Sequence, residues 1–308
     1  MSLQSRIDEV RIDEFSFFVK RDDLLGDICG GNKARKLEFF IKNAHKFAKN
    51  TKIISFGSSQ SNALAALSEF ARQNGFECIF VCEKISNFLK QNPCGNYALA
   101  LKNGAKIIEN LDFKTRKEKA LSLFSENDIF INEGIACKEA QMGFQTLAKE
   151  IKVQSKALGR EFDIFLPAGT GVSALYLAKF SKCRVFTCAC VGDESYLKRQ
   201  MLELEPNFCI KLLDKNSFSL SNSSHKGLFI LKAPKKFHFA KPHKELLNIY
   251  QRALKECEIE FSLLYDSVGL HTMLFYKTHF HKPILYIHQG GLNANASMLE
   301  RYEFKGLL

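Results

Sequence analysis

The stretch GGNKARKLE, residues 30–38, carries the strongest indication of fold and chemistry in this sequence. From Leu37 onward apolar side chains recur at helical spacing, which predicts a helix. Asn32 is a good N-cap residue, because its side chain can accept a hydrogen bond from a free amide of the first turn. Lys33 is then expected at the positive end of the helix dipole, where a neutral, nucleophilic amine is favoured over an ammonium group. A solvated surface lysine would give the same local pattern, so both interpretations stay open on this segment alone.

The composition is that of an ordinary globular protein, with 308 residues of which 46% are hydrophobic and 25% charged. A chain of this length can bury the core of one large domain or two smaller ones. Charged side chains between residues 6 and 14 argue against a signal peptide. The sequence contains no run of about 18 apolar residues, so we expect no membrane span. We therefore expect a cytoplasmic protein without a membrane partner, whose ten cysteines are reduced thiols.

The net charge of +11 raises nucleic-acid binding as an alternative. Lysine and arginine are mixed with acidic residues along the whole chain, however, and the densest basic segment, residues 232–241, is short. We expect no nucleic-acid partner and a positive field that attracts small anionic substrates. His279 and His281 have no cysteine or carboxylate at ligand spacing, so no metal site is expected.

Short apolar runs alternate with helical patterns through most of the sequence. Strands are predicted at residues 53–56, 78–82, 106–108, 129–131, 163–166, 184–191, 261–265 and 284–287. Helices are predicted between them, among others at residues 63–72, 97–102 and 173–180. This alternation predicts an α/β fold with a mostly parallel sheet covered on both faces. Residues 216–226, rich in Ser and Asn, are predicted to form a surface excursion.

In such sheets ligands bind beyond the carboxyl ends of the strands, and three loops there stand out. The loop GSSQSN, residues 57–62, fits a carboxylate site at a helix N-terminus, although ordinary turns use the same residue types. The loop PAGTGVS, residues 167–173, favours a phosphate site over a plain turn. It matches neither a Walker loop nor the dinucleotide fingerprint. The loop HQGGLN, residues 288–293, fits a ligand contact and a tight turn equally well.

Taken in order, these segments resemble the aminocyclopropane-carboxylate deaminase and D-cysteine desulfhydrase family. This family lies within the fold-type-II, tryptophan-synthase-β-like pyridoxal-phosphate enzymes. The resemblance covers nearly the whole chain, and the lysine block is its most specific part. The matching segments are residues 20–23 (KRDD), 31–38, 60–62 (QSN), 95–97, 104–105, 133–134, 143–144, 169–173 and 288–291.

The resemblance implies a two-domain α/β fold in which each domain is a mostly parallel twisted sheet with helices on both faces. Residues 1–46 and 145–308 would form the larger, pyridoxal-phosphate-binding domain, and residues 47–144 a smaller inserted α/β domain. The implied activity is that of a lyase or deaminase that converts a small amino acid to a 2-oxo acid and ammonia. The alternative is a pyridoxal-phosphate-binding homologue without turnover, in a binding or regulatory role. Family members are typically homodimers, and we expect a homodimer here.

Site residues follow from the same resemblance. Lys33 would bind pyridoxal 5'-phosphate covalently and move protons once substrate displaces it. Ser61 would contact the substrate carboxylate or act beside it, and Asn62 would lie near the cofactor ring. The residues implied in phosphate binding are Gly169, Thr170, Gly171, Val172 and Ser173. Those implied in substrate binding are Gln60, Ser61, Asn62 and His288.

The sequence departs from the family near its C-terminal catalytic tyrosine. One register, which matches the sequence better, puts Gly269 at the tyrosine and Leu270 at the position that faces the pyridine nitrogen. The other puts Tyr265 and Asp266 there, which preserves a catalytic hydroxyl and a carboxylate that strengthens the electron sink. We assign Tyr265 and Asp266 to the site, with the register open. A second family tyrosine is replaced by Phe239, which argues against ring-opening deamination and leaves elimination from a D-amino acid open.

Overall fold

The computed structural model describes residues 4–26, 30–220 and 226–308. The strands there are β1 (Ile7–Ile12), β2 (Phe15–Lys20), β3 (Lys52–Phe56), β4 (Glu77–Cys82), β5 (Lys106–Glu109), β6 (Ile129–Ile131), β7 (Asp163–Ala168), β8 (Arg184–Ala189), β9 (Ile210–Leu213), β10 (Gly227–Leu231) and β11 (Ile284–Ile287). The helices are α1 (Gly31–Asn43), α2 (Asn62–Asn74), α3 (Asn87–Gln91), α4 (Gly95–Lys102), α5 (Arg116–Ser122), α6 (Gln141–Ala157), α7 (Val172–Phe180), α8 (Glu194–Leu204), α9 (Lys215–Leu220), α10 (Lys244–Cys257), α11 (Asp266–Phe275) and α12 (Ala294–Phe304).

Two sheets organise these elements. The larger sheet has the strand order β1-β2-β11-β7-β8-β10-β9, and every neighbouring pair is parallel except the β1–β2 hairpin. The smaller sheet has the order β5-β4-β3-β6 and is parallel throughout. The predicted α/β class with mostly parallel sheets is confirmed.

Both faces of the larger sheet are buried, as expected for parallel strands. Along β7, Ile164 and Leu166 point to one face, where α6, α7 and α8 pack. Phe165, between them, points to the other face, which α10 and α11 cover. The two-residue period of a strand therefore supplies both cores from one short apolar run.

Helix α1 lies between the two sheets. Its apolar side chains Leu37 and Phe40 belong to the core of the smaller sheet. Its other side packs on α6, where the backbone approach is close: a Cβ on Gly143 would lie 1.8 Å from the carbonyl oxygen of Arg35. Strands β3 to β6 all fall within residues 47–144, while α1 comes from outside that range. The proposed domain boundaries stay a prediction.

Some predicted elements differ from the structure. Residues 261–265 form no strand; they make the turn before α11, where Phe261 is fully buried by packing rather than by sheet pairing. Helix α1 begins at Gly31 with Gly30 as its N-cap, and the Asn32 side chain does not cap it. The predicted excursion at residues 216–226 is in part helix α9, and residues 221–225 lie outside the described part of the chain.

The hairpin β1–β2 and strands β9 and β10 were not predicted from the sequence. None of the described helices is long and apolar enough to cross a bilayer.

Candidate active site

A cavity of about 400 Å³ lies between the two sheets. Its wall includes loops that follow β3 and β6 of the smaller sheet and β7, β8 and β11 of the larger one. The cavity therefore lies beyond the carboxyl ends of the strands, where ligands bind in parallel sheets. It brings together the predicted residues Lys33, Gln60, Ser61, Asn62, Gly169, Thr170, Gly171, Val172, Ser173, Tyr265 and Asp266.

Two lysines from the first turns of α1 line this cavity. Burial lowers the pKa of Lys33 to about 8. Burial also lowers the pKa of Lys36 well below its ordinary value, and the charge of Lys33 lowers it further. The Lys36 Nζ donates to the carbonyl oxygen of Gly134 at 2.8 Å. Within residues 4–26, 30–220 and 226–308 neither amine forms an ion pair with a carboxylate.

The sequence-based site did not include Lys36. The spacing of three residues from Lys33 could have revealed it, because side chains at i and i+3 share one face of a helix.

The start of α1 docks on the loop after β11. The Asn32 backbone N–H donates to the carbonyl oxygen of Gln289 at 2.9 Å. The Asn32 Nδ2 donates to Gln289 Oε1 at 3.1 Å and to Ser173 Oγ at 3.3 Å. At Gly31, with φ +60°, a Cβ would lie 1.9 Å from the Gln289 oxygen, so only glycine fits this contact. Asn32 thus joins three parts of the site instead of capping its own helix as predicted.

The loop between β7 and α7 has the geometry of an anion site. Gly171 is the N-cap of α7 in the left-handed region, with φ +78°. The amides of the first helical turn have no partner inside the helix, and the helix dipole is positive there. Thr170 packs against Gly134, the residue that Lys36 contacts, so a cation lies next to this loop. Such an arrangement binds phosphate groups.

The start of α2 provides a second polar wall. Ser61 is the N-cap of α2, and its Oγ accepts from the Ala63 amide at 3.0 Å, which leaves its hydroxyl hydrogen free to donate. The Gln60 side chain turns away instead. Its Nε2 donates to the Cys94 carbonyl oxygen and its Oε1 accepts from the Asn96 amide, both at 3.0 Å. Gln60 therefore holds the start of α4, and its predicted contact with a substrate stays a prediction.

The residues of the two registers left open near Tyr265 lie in different places. Tyr265 and Asp266 line the cavity. The Tyr265 ring packs against Gly169 and lies 5.4 Å, centroid to centroid, from the ring of Phe239, which also lines the cavity. Gly269 instead packs against Tyr286 and Pro167, and Leu270 is fully buried in the core. The pair that reaches the cavity is Tyr265 and Asp266.

Hydrogen bonds from two neighbouring residues hold the Asp266 carboxylate. Its Oδ1 accepts from the Tyr286 hydroxyl at 2.8 Å and its Oδ2 accepts from the Ser262 amide at 2.9 Å. Burial raises the pKa of Asp266, and the nearby His288 opposes that rise. The carboxylate is fixed in position in a residue that lines the cavity and is 1% exposed.

His288 does not line the cavity, contrary to the predicted substrate contact. Its Nδ1 accepts from the Gly290 amide at 3.2 Å, so its Nε2 carries the hydrogen and donates to the Glu260 carbonyl oxygen at 2.7 Å. The ring is fully buried against Phe261, and its Nδ1 lies 3.5 Å from Asp266 Oδ2. His288 therefore lies in the core behind Asp266.

Three further charged side chains line the cavity and were missed. Arg116 pairs with Glu83 at 3.3 Å and with Glu133 at 3.7 Å, and burial raises the pKa of Glu133. Arg301, on α12, donates to the carbonyl oxygen of Ala240 at 3.0 Å. These residues come from distant segments, so no local sequence pattern indicates them. In the described ranges no group of three His, Cys, Asp or Glu residues could hold a metal ion.

A family comparison agrees with this geometry. The model of a family described as pyridoxal-phosphate dependent enzyme matches residues 5–195, more than half of the chain. The chain belongs to this family. Pyridoxal phosphate, the cofactor expected from the sequence, is the cofactor on which the family depends.

Individual relatives place the chain more closely. A protein of Pyrococcus furiosus named "Putative 1-aminocyclopropane-1-carboxylate deaminase" is 29% identical over 163 residues, which are 50% of this chain and 48% of that protein. The match thus spans about half the length of that relative. The crystal structure of an "ACC deaminase homologue" superposes with a TM-score of 0.72 at 20% identity, covering 97% of this chain and 94% of the other.

A fungal L-serine ammonia-lyase from Rhizomucor miehei superposes with a TM-score of 0.66 at 15% identity, covering 98% of each chain. At these identities the structural matches show the fold, which is fold type II. With the family and the Pyrococcus relative, they confirm the resemblance to the aminocyclopropane-carboxylate deaminase and D-cysteine desulfhydrase family.

The residues in the cavity fit this cofactor. An amine without an acid partner, Lys33, suits an aldehyde. A glycine loop at a helix N-terminus, where a Cβ on Gly171 would lie 2.6 Å from Met201, suits a phosphate. The buried carboxylate of Asp266 suits a pyridine nitrogen.

Proposed function

We propose that this protein is a pyridoxal-phosphate-dependent lyase or deaminase that converts a small amino acid to a 2-oxo acid and ammonia. The observation that carries the proposal is the Lys33 amine, which lies in the cavity wall without an acid partner in the described chain. It stands between an anion-binding loop and the polar start of α2. We also propose that the protein works as a cytoplasmic homodimer.

Each part of the cavity has a role in holding the cofactor. Bound pyridoxal phosphate supplies an electron sink that stabilises negative charge at the substrate α-carbon. The loop Gly169, Thr170, Gly171, Val172 and Ser173 would bind the phosphate through its backbone amides, and the amine of Lys36 would contact it from the side. Asp266, whose carboxylate Tyr286 and Ser262 hold, would pair with the ring nitrogen.

The substrate end of the cavity is built around Ser61. Its free hydroxyl hydrogen and the first amides of α2 bind the substrate carboxylate. Lys33, with a pKa of about 8, has a neutral fraction near neutral pH that accepts the proton from the α-carbon. Tyr265 places a hydroxyl beside the leaving group, and its ring closes the cavity over Gly169.

Phe239 favours elimination over ring opening. It lies beside Tyr265 in the cavity and has no hydroxyl group, so one of the two family tyrosines is missing there. A desulfhydrase-like elimination therefore fits better than deamination of aminocyclopropane-carboxylate. The same observation supports the second candidate, a cofactor-binding homologue without turnover.

A substrate panel tests this proposal. The holoenzyme is incubated with D- and L-forms of small amino acids that carry a leaving group, and 2-oxo acid and ammonia are measured. We expect steady release of both products from at least one of them, and a loss of about 10³-fold in Lys33→Ala. Lys46→Ala, an exposed lysine after α1, is the matched control and should keep full activity.

Full turnover by Lys33→Ala would contradict the proposal. A wild-type holoenzyme that releases no product from the whole panel would favour the homologue without turnover.

A further inference from the structure

The amide of Asn62 lies in the cavity wall, and a second asparagine lies directly behind it. Asn96, in the first turn of α4, is 1% exposed. Its Nδ2 donates to Asn62 Oδ1 at 2.7 Å and to the backbone carbonyl oxygen of Gln60 at 3.0 Å. Its backbone amide donates to Gln60 Oε1 at 3.0 Å. Asn96 thus fastens both the side chain of Asn62 and the loop that precedes it.

These contacts determine the orientation of the side-chain amides of Asn96 and Asn62. A backbone carbonyl oxygen can only accept, so the Asn96 atom that faces Gln60 must be the NH₂ group. The second hydrogen of that NH₂ group then points at Asn62, where only the carbonyl oxygen can accept it. The Asn62 NH₂ group is therefore turned to the opposite side, toward Gly291, while Asn62 as a residue lines the cavity. Gly291, with φ +81°, leaves room there, since a Cβ would lie 2.6 Å from Asn62 Nδ2.

We propose that Asn96 is a positioning residue that keeps Asn62 oriented as a hydrogen-bond donor toward an acceptor oxygen of the bound cofactor. An asparagine that could rotate freely would present its carbonyl oxygen as readily, and that atom would repel an anionic oxygen. The orientation is set from the smaller sheet's side of the cavity, since α4 packs on α2 there. The inference rests on the proposed function only in that the same cavity holds the cofactor.

Asn96→Asp makes the sharpest test. A carboxylate has no N–H to donate, so it would accept from Asn62 Nδ2 and turn the Asn62 oxygen into the cavity. We expect the dissociation constant of pyridoxal phosphate, titrated into apoprotein, to rise roughly ten- to a hundredfold, the worth of one hydrogen bond to a charged group. The visible band of the bound cofactor should shift in the same direction as in Asn62→Ala. Asn92→Asp, an exposed asparagine close by in the chain, should change neither quantity.

A double-mutant cycle separates positioning from general support of the fold. In an Asn62→Ala background, Asn96→Asp should raise the dissociation constant much less than in the wild-type background, because only its contact with the Gln60 carbonyl oxygen is left to lose. The same loss in both backgrounds would overturn the inference. If melting curves show that Asn96→Asp does not fold, Asn96→Ala in the two backgrounds gives the same comparison.

The readout is cofactor binding, so it is independent of turnover. A wild type that binds the cofactor and releases no product refutes the proposed reaction and leaves this comparison intact. A wild-type apoprotein that takes up no pyridoxal phosphate would overturn both.

Discussion

The first turns of α1 bury cations on two sides, and the two sides are built differently. Lys33 and Lys36 face the cavity with no carboxylate partner among the described residues. Arg35 lies about 200° round the helix from Lys33. It donates to both oxygens of Asp22 at 3.0 and 2.8 Å and to Glu150 at 2.8 Å. Although burial opposes it, these carboxylates raise the pKa of Arg35, whereas burial lowers the pKa of Lys33.

The difference distinguishes Arg35, a buried cation that stabilises the fold, from Lys33 and Lys36, whose amines are available to a ligand. A buried charge is costly unless it is paired and hydrogen-bonded. Arg35 meets that condition and ties α1 to the segment around Asp22 and to α6. Lys33 and Lys36 do not meet it, so the fold bears a cost that an anionic cofactor would offset. The following predictions test this distinction.

Arg35→Met should have the largest effect on stability. It would remove the ion-pair partner of Asp22, while Glu150 would keep Lys20, and breaking a buried pair from one side costs about 3–5 kcal/mol. Urea unfolding of the apoprotein measures this loss. The control is Lys235→Met, which removes an exposed pair with Glu245 and should cost less than about 1 kcal/mol. Equal urea midpoints for Arg35→Met and Lys235→Met would show that Arg35 does not stabilise the fold more than an exposed ion pair does.

The amine of Lys33 should titrate near pH 8 in the apoprotein, because burial lowers its pKa from 10.5. At pH 7 its neutral fraction would be about 10%, against about 0.03% for an ordinary lysine. Acylation rates measured by peptide mass spectrometry between pH 6 and 11 give this midpoint. Since the unfolded lysine still binds a proton between pH 8 and 10.5, the contribution of Lys33 to the stability of the apoprotein should rise with pH across that window. A Lys33 midpoint near 10.5 would show an ordinary, solvated lysine.

Lys36→Met should act in the opposite direction to Arg35→Met. Removing a buried amine that has no acid partner among the described residues should stabilise the apoprotein, by about 1 kcal/mol, even though the hydrogen bond to Gly134 is lost. The same change should weaken pyridoxal phosphate binding by roughly tenfold, one charged contact to phosphate. A loss of stability comparable to that of Arg35→Met would mean that both sides of α1 serve the fold.

The sequence predicted those strands that are short, continuous runs of apolar residues. Strands β3, β4, β7 and β11 are apolar runs between turn residues, and all were predicted. The hairpin β1–β2 was missed because its first strand, IDEVRI, contains three charged residues and therefore forms no continuous apolar run. Residues 261–265 were wrongly predicted as a strand, because aromatic burial in the turn before α11 gives the same local pattern as a strand.

The site shows the same limit. Lys33 and the loop from Gly169 to Ser173 were found because one local segment carries each signal. The orientation of Gln60, the place of His288 behind Asp266 and the joining role of Asn32 depend on partners from distant segments. The choice of Tyr265 over Gly269 likewise needed the turn that precedes α11, which no periodicity in the sequence indicates.

Borohydride trapping of the bound cofactor tests the central claim most directly. The holoenzyme is reduced, digested and mapped by mass spectrometry, alongside Lys33→Ala treated in the same way. The account predicts that the reduced cofactor is attached to Lys33 and that the variant shows neither the attachment nor the visible band. Attachment to Lys36 or to another lysine, or an unchanged band in Lys33→Ala, would contradict it.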